Sequence, residues 1–277
     1  MRLKGIRSSR NVEDRRRKGG GKAGSIGGVG LLVVLAIGYF AGVDVTPLLE
    51  GQGTQSSTPR QISAEEERAA EFSSKVLATT EAVWANVFQD QLGRTYKAPV
   101  LVLYSGVTQS PCGGASGATG PFYCPADRKA YLDTEFFATL SSQLGARGDF
   151  AAAYVIAHEV AHHVQNELGI LPQVNARRQA VGQAEANALT MRLELQADCL
   201  SGVWARSVEG VLEPGDLEEA LNAAKQIGDD TLQRRAGKVP QPHTFTHGTS
   251  QQRQRWFATG YQTGDPNQCD TFSALQL

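Results

Sequence analysis

The run "DFAAAYVIAHEVAHHVQNEL" (149–168) constrains this chain more than any other stretch. Asp149 offers an N-cap, alanine-rich sequence follows, and Gly169 and Pro172 supply stop signals. The spacing predicts one helix over Phe150–Leu168. It carries no charge between Asp149 and Glu159 or between Glu159 and Asn166, which suits a buried helix. Yet His158 and His162 share one face a turn apart, and Glu159 lies at the edge of that face. A charged group in such surroundings is costly unless something satisfies it. Two imidazoles at i and i+4 can hold one Zn²⁺ while the glutamate acts as general base on the water at the metal. His163 falls one position off the ligand face and is expected to pack or hydrogen-bond.

A tetrahedral catalytic zinc needs a third protein ligand and an open position. The extended three-histidine motif fails, because Gln165 and Leu168 occupy the places of its glycine and third histidine. Downstream, "ALTMRLELQADCLSGVWA" (188–205) is helical by composition and carries Glu194 and Asp198, again i and i+4. Glu194 is read as the third ligand, and Asp198 as the acceptor for the far nitrogen of one histidine. Glu185 competes as ligand, but its i+4 neighbour is Leu189, so no such acceptor follows it.

Five segments carry a wider resemblance: "NVEDRR" (11–16), "GPFYCPADRKAYLDTEFF" (120–137), "VIAHEVAHHVQ" (155–165), "RLELQADCLSGVW" (192–204) and "FTHGTSQQRQRWFATG" (245–260). In this order they resemble the family of putative neutral zinc metallopeptidases that are anchored in bacterial membranes. The resemblance spans nearly the whole chain. More distantly the metal site is similar to that of gluzincin peptidases, whose third ligand is a glutamate. The resemblance implies peptide hydrolysis and names no substrate.

Charge is unevenly spread. Residues 1–22 hold nine Lys/Arg against Glu13 and Asp14, in a chain whose formal net charge is −1. The acidic remainder gives no argument for nucleic-acid binding. Directly after the basic block, "SIGGVGLLVVLAIGYFAGV" (25–43) runs nineteen residues without a charge, enough to span a bilayer. The expected organisation is a basic cytoplasmic segment (1–24), a transmembrane helix (25–43), a flexible linker (44–63) and a zinc metallopeptidase domain (64–277) outside the cytoplasm. A cleaved signal peptide fits less well, since its basic region would be unusually long and no convincing small-x-small site precedes Asp44.

The outer domain reads as α+β, mainly helical and zincin-like with a small sheet. Phe72, Val76, Val83, Trp84 and Phe88 mark an amphipathic helix from about Ala64. "APVLVLYSG" (98–106) is a strand, and "KAYLDTEFFATLSSQL" (129–144) a strand turning into a helix capped near Thr134. Four cysteines suit an oxidising compartment and allow three pairings. Cys112–Cys124 would staple a glycine-rich loop, and Cys199–Cys269 would tie the C-terminal tail to the Glu194 helix.

The expected activity is that of a membrane-anchored endopeptidase with one zinc per chain and a peptide or protein substrate. The strand near Tyr131 would pair that substrate, and His247 would be a second donor to the oxyanion. Packing in a loop with Trp256 and Phe257 is the structural alternative for His247. Two rival functions are an assembly or adaptor protein with a structural zinc, and a zinc amidase acting on cell-wall material. An intact Glu159 speaks against the first, because a closed structural site has no use for a base.

Overall fold

The computed structural model describes residues 1–17, 61–116 and 120–277. The motif helix α3 (Asp149–Glu167) forms the centre, following β1 (Val12–Asp14), α1 (Ala64–Leu92), β2 (Val100–Tyr104), β3 (Val107–Ser110), β4 (Gly113–Ser116), β5 (Phe122–Cys124), β6 (Lys129–Asp133) and α2 (Phe136–Ser142). After it come α4 (Ile170–Gln179), α5 (Gln183–Ser207), α6 (Asp216–Gln226), α7 (Asp229–Arg235) and α8 (Ser250–Thr263). The fold is therefore mainly helical with small sheets, as the α+β expectation holds.

Four strands form one sheet in the order β1–β2–β6–β5, parallel except for the antiparallel β5–β6 pair. Alternation along β2 and β6 sends Leu101, Leu103, Ala130 and Leu132 into the helical core. Val102, Tyr104 and Tyr131 join the opposite face, where the β3–β4 hairpin covers them. A Cys112–Cys124 disulfide joins the hairpin to β5, and Cys199–Cys269 joins α5 to the C-terminal tail. Both expected pairings are present.

Helix α3 is surrounded by α1, α5 and α6. Its alanines are what permit this, since Ala151, Ala153, Ala157 and Ala161 are all buried and let neighbouring helices close in. The expected Asp149 cap is corrected. Gly148 is the cap residue and Asp149 is the first helical residue, its carboxylate accepting from the Met1 ammonium at 3.0 Å. The open N–H of Phe150 is instead taken by Glu219 of α6 at 3.0 Å. A Cβ on Gly148 would lie 1.9 Å from the Glu219 carboxyl carbon, and φ there is 105°, so only glycine fits. Thr134 is not the α2 cap either; Glu135 stands there, and the Thr134 hydroxyl donates to the Tyr104 carbonyl. Gly169 ends α3 in the left-handed conformation, but α4 starts at once with Pro172 in its first turn. Proline there gives up an N–H the helix does not use.

Helices α5 and α8 cross at two glycines. A Cβ on Gly202 would meet the Phe257 carbonyl oxygen at 2.1 Å, and one on Gly260 would meet the Cys199 carbonyl oxygen at 1.8 Å. Backbone touches backbone at this crossing.

The predicted transmembrane segment 25–43 and linker residues 44–60 lie outside the described residues. Among the described residues no helix is long and apolar enough to cross a membrane. The separation of the basic segment from the domain is corrected for its described residues, 1–17. Strand β1 pairs with β2 inside the domain, Met1 and Leu3 join the main core, and buried Arg16 bridges Asp14, Glu67 and the Glu66 carbonyl. One crossing of a bilayer between these strands would put β1 and β2 on opposite faces, which their pairing forbids. Residues 1–17 and the domain fold as one unit.

Two predictions arise here. Ser8→Cys and Gln276→Cys, both exposed, should react alike with a membrane-impermeant maleimide on intact cells. Labelling of only one would contradict the shared sheet. Gly260→Ala should lower stability by about 1–3 kcal/mol or more, as forced overpacking does. Urea unfolding reads this directly, and an unchanged midpoint would mean the helices do not meet as described.

Candidate metal centre and active-site cleft

Three side chains converge at the middle of the helical layer. His158 and His162 come from α3 and Glu194 from α5, with one ligand atom of each lying within 4.8 Å of the others. His158 Nε2 is 3.1 Å from Glu194 Oε2, and His162 Nε2 is 3.5 Å from Glu194 Oε1. Each far nitrogen is tied elsewhere. His158 Nδ1–H donates to Asp198 Oδ1 at 2.9 Å, and His162 Nδ1–H donates to Gln165 Oε1 at 2.9 Å. With Nδ1–H committed outward on each ring, both Nε2 atoms face the Glu194 carboxylate, where each would offer its lone pair to a metal.

The two carboxylates near His158 favour positive charge within the cluster. Burial opposes a charged His158, yet Asp198 and Glu194 outweigh it and raise the imidazole to about 10. Burial likewise opposes Glu194, and His162 and His158 hold it well below the carboxylate range. In this arrangement protons bridge groups that a divalent ion could bridge instead. Two imidazole nitrogens and one carboxylate are a borderline-soft set of the kind that zinc takes at hydrolytic sites. The residues present fit zinc.

Asp198 is fully buried and saturated. It accepts from Tyr154 Oη–H at 2.5 Å, from His158, and from Arg253 through Nε at 2.8 Å and Nη2 at 2.9 Å. Burial works against its charge, but Arg253 and His158 prevail and hold its carboxyl at about 2. Glu185, the competing ligand, pairs with Arg177 on the surface instead.

Glu159 lies beside the cluster and borders a cleft of about 400 Å³. Burial raises its carboxyl above the usual range against the pull of His162 and His158. His247 lines the same cleft. Its ring Nδ1–H donates to Asp229 Oδ1 at 3.1 Å, while Asp229 Oδ2 accepts the backbone N–H groups of Thr246, His247 and Gly248. Burial opposes the imidazolium, and Asp229 with Glu194 raises the His247 pKa nonetheless. His163 points elsewhere: its Nε2–H donates to the Lys97 carbonyl and its Nδ1 accepts from the Tyr123 hydroxyl.

The pairing strand is corrected. Tyr131 sits on β6, which is flanked by β2 and β5 and has no free edge. Strand β5 ends the sheet, and Phe122 and Tyr123 border the cleft.

Sequence reasoning missed Tyr154, Gln165, Asp229 and Arg253. Tyr154 and Gln165 left a local signal, since Tyr154, His158 and His162 follow one another at i+4 on one helical stripe and Gln165 stands at i+3 from His162.

Residues 1–272 match the family described as putative neutral zinc metallopeptidase. The chain belongs to this family. An uncharacterized Escherichia coli protein, YpfJ, is 52% identical over 287 residues, covering 98% of this chain and 99% of the relative. An uncharacterized Mycobacterium tuberculosis protein, Rv2575, is 46% identical over 219 residues, covering 73% of this chain and 71% of the relative. No solved structure matches the chain. Zinc and a hydrolase class thus attach to the chain at the level of its family.

Removing one partner of a buried ion pair strands the other charge. Arg253→Leu should therefore cost about 3–5 kcal/mol of stability. Denaturant unfolding of the purified chain checks it, and a loss below ~1 kcal/mol would mean Asp198 finds its compensation elsewhere.

Proposed function

We propose that the chain is a zinc-dependent endopeptidase that works outside the cytoplasm. His158, His162 and Glu194 hold one zinc per chain, with Asp198 and Gln165 orienting the two imidazoles. The observation that carries the catalytic reading is Glu159. Its carboxylate borders the cleft beside the ligand cluster and has no ion-pair partner among the described residues. A closed structural zinc site has no role for such a group.

Bound zinc supplies a Lewis acid that polarises a carbonyl and acidifies water. Glu159 takes the proton of the attacking water and hands it to the leaving amine. A carboxyl raised by burial suits both transfers. His247, whose protonated form Asp229 favours, offers an N–H to the oxygen that gains charge, and Asp229 fixes that loop by three backbone bonds. An extended substrate pairs with β5, the strand that ends the sheet among the described residues. Phe122, Phe136, Val155, Ile227 and Leu232 line the cleft and favour an apolar side chain near the scissile bond. Two disulfides support an oxidising compartment. Membrane attachment through residues 25–43 belongs to this proposal only in a form that keeps both flanks on one side.

Glu159→Gln separates this enzyme from a protein with a structural zinc. The amide keeps the shape but cannot take the proton, so peptide cleavage should fall about 10²–10⁴-fold while zinc content stays near one per chain. A peptide-library digest with zinc measured in the same sample reads both. Full cleavage by the variant would remove Glu159 as base, and no zinc-dependent cleavage by the parent would sink the peptidase reading.

A further inference from the structure

His158 is oriented by a carboxylate, but His162 is not. Its Nδ1 meets an amide, Oε1 of Gln165, at 2.9 Å. Gln165 is completely buried, three residues farther along the same helix. An amide presents an acceptor at one end and a donor at the other, so its polarity must be set farther out.

Gln165 Nε2 donates to the Leu193 carbonyl at 2.7 Å and to Gln196 Oε1 at 3.1 Å. Gln196 Nε2 donates in turn to the Cys269 carbonyl at 3.0 Å. Both outer partners are backbone carbonyls, which can only accept. They force each amide to direct its NH₂ outward, which leaves Gln165 Oε1 facing the histidine. That oxygen demands an N–H at His162 Nδ1 and leaves the lone pair on Nε2, 3.5 Å from Glu194. Both carbonyls are themselves anchored to α5. Leu193 directly precedes Glu194, and Cys269 is bonded to Cys199, directly after Asp198.

We propose that Gln165 and Gln196 are positioning residues, a two-amide relay that fixes the tautomer and ring orientation of His162 from the Leu193 and Cys269 carbonyls. The relay rests on the metal-centre reading above. It also accounts for glutamine, rather than glycine, at position 165: the residue serves the second histidine from within the same helix.

The test is zinc affinity by chelator competition on the full oxidised chain, with melting curves in EDTA to verify folding. Gln165→Leu should weaken zinc about 10- to 100-fold, the usual loss when a ligand's supporting partner is removed. Gln196→Leu should weaken it by less, because the Leu193 carbonyl still holds Gln165. The double variant should bind no more weakly than Gln165→Leu, since the two act in series; independent structural effects would instead add. Parental affinity in folded Gln165→Leu, or additive losses in the double variant, overturns the relay. If Gln165→Leu does not fold, Gln196→Leu decides, and parental affinity there overturns it equally. Absence of zinc binding by the unsubstituted protein overturns the metal centre and the relay with it.

Discussion

One buried carboxylate, Asp198, holds the three central helices and the candidate site in a single arrangement. It sits on α5, takes hydrogen bonds from Tyr154 and His158 of α3, and is clamped by two nitrogens of Arg253 from α8. A lone charge there would cost several kcal/mol, so none of the three helices can move away without penalty. The Gly202–Gly260 crossing is what brings Arg253 within reach, because a side chain at either position would push α8 off α5. Stability and site geometry thus share one interaction. With Arg253 neutralising it, Asp198 acts as a fixed acceptor that holds His158.

The parts legible in the sequence are those whose physics is local. Cap, composition and stop signals gave α3 and composition gave α5, while the i, i+4 pairs His158/His162 and Glu194/Asp198 gave the convergent face. Arg253, Asp229, Gln196 and Glu219 act across long stretches of chain. Nothing near Gly148 announces that its helix is capped by a glutamate from α6. Strands β1 and β5 have three residues each, too few for alternation to register. Pro172 was legible as a stop only because a stop and a first-turn proline look alike until the next helix is seen.

The N-terminal segment shows how formal charge misleads. Its excess of Lys and Arg argues for a free basic tail. In the fold, Arg15 pairs with Glu13, and Arg16 pairs with Asp14 and with Glu67 of α1. Glu13 also receives Lys129 of β6. "NVEDRR" is an edge strand with its own counter-ions, and its charges are spent within the domain.

The two consecutive histidines of α3 divide their work between opposite faces. His162 turns toward Glu194 and the candidate metal centre, while His163 reaches Tyr123 of β5 and the Lys97 carbonyl. Burial lowers the His163 pKa, and both of its nitrogens are used by one donor and one acceptor, so it serves as a neutral clamp. Strand β5 is fixed further by its ladder to β6 and by the Cys112–Cys124 bond. The cleft's edge strand is thereby tied, through a residue adjacent to a candidate ligand, to the helix that carries the other wall. An extended peptide on β5 would meet Glu159 and the ligand cluster at a spacing set by this clamp. Preorganisation of that kind needs a neutral imidazole, which an apolar, aromatic setting between Tyr96 and Tyr123 provides.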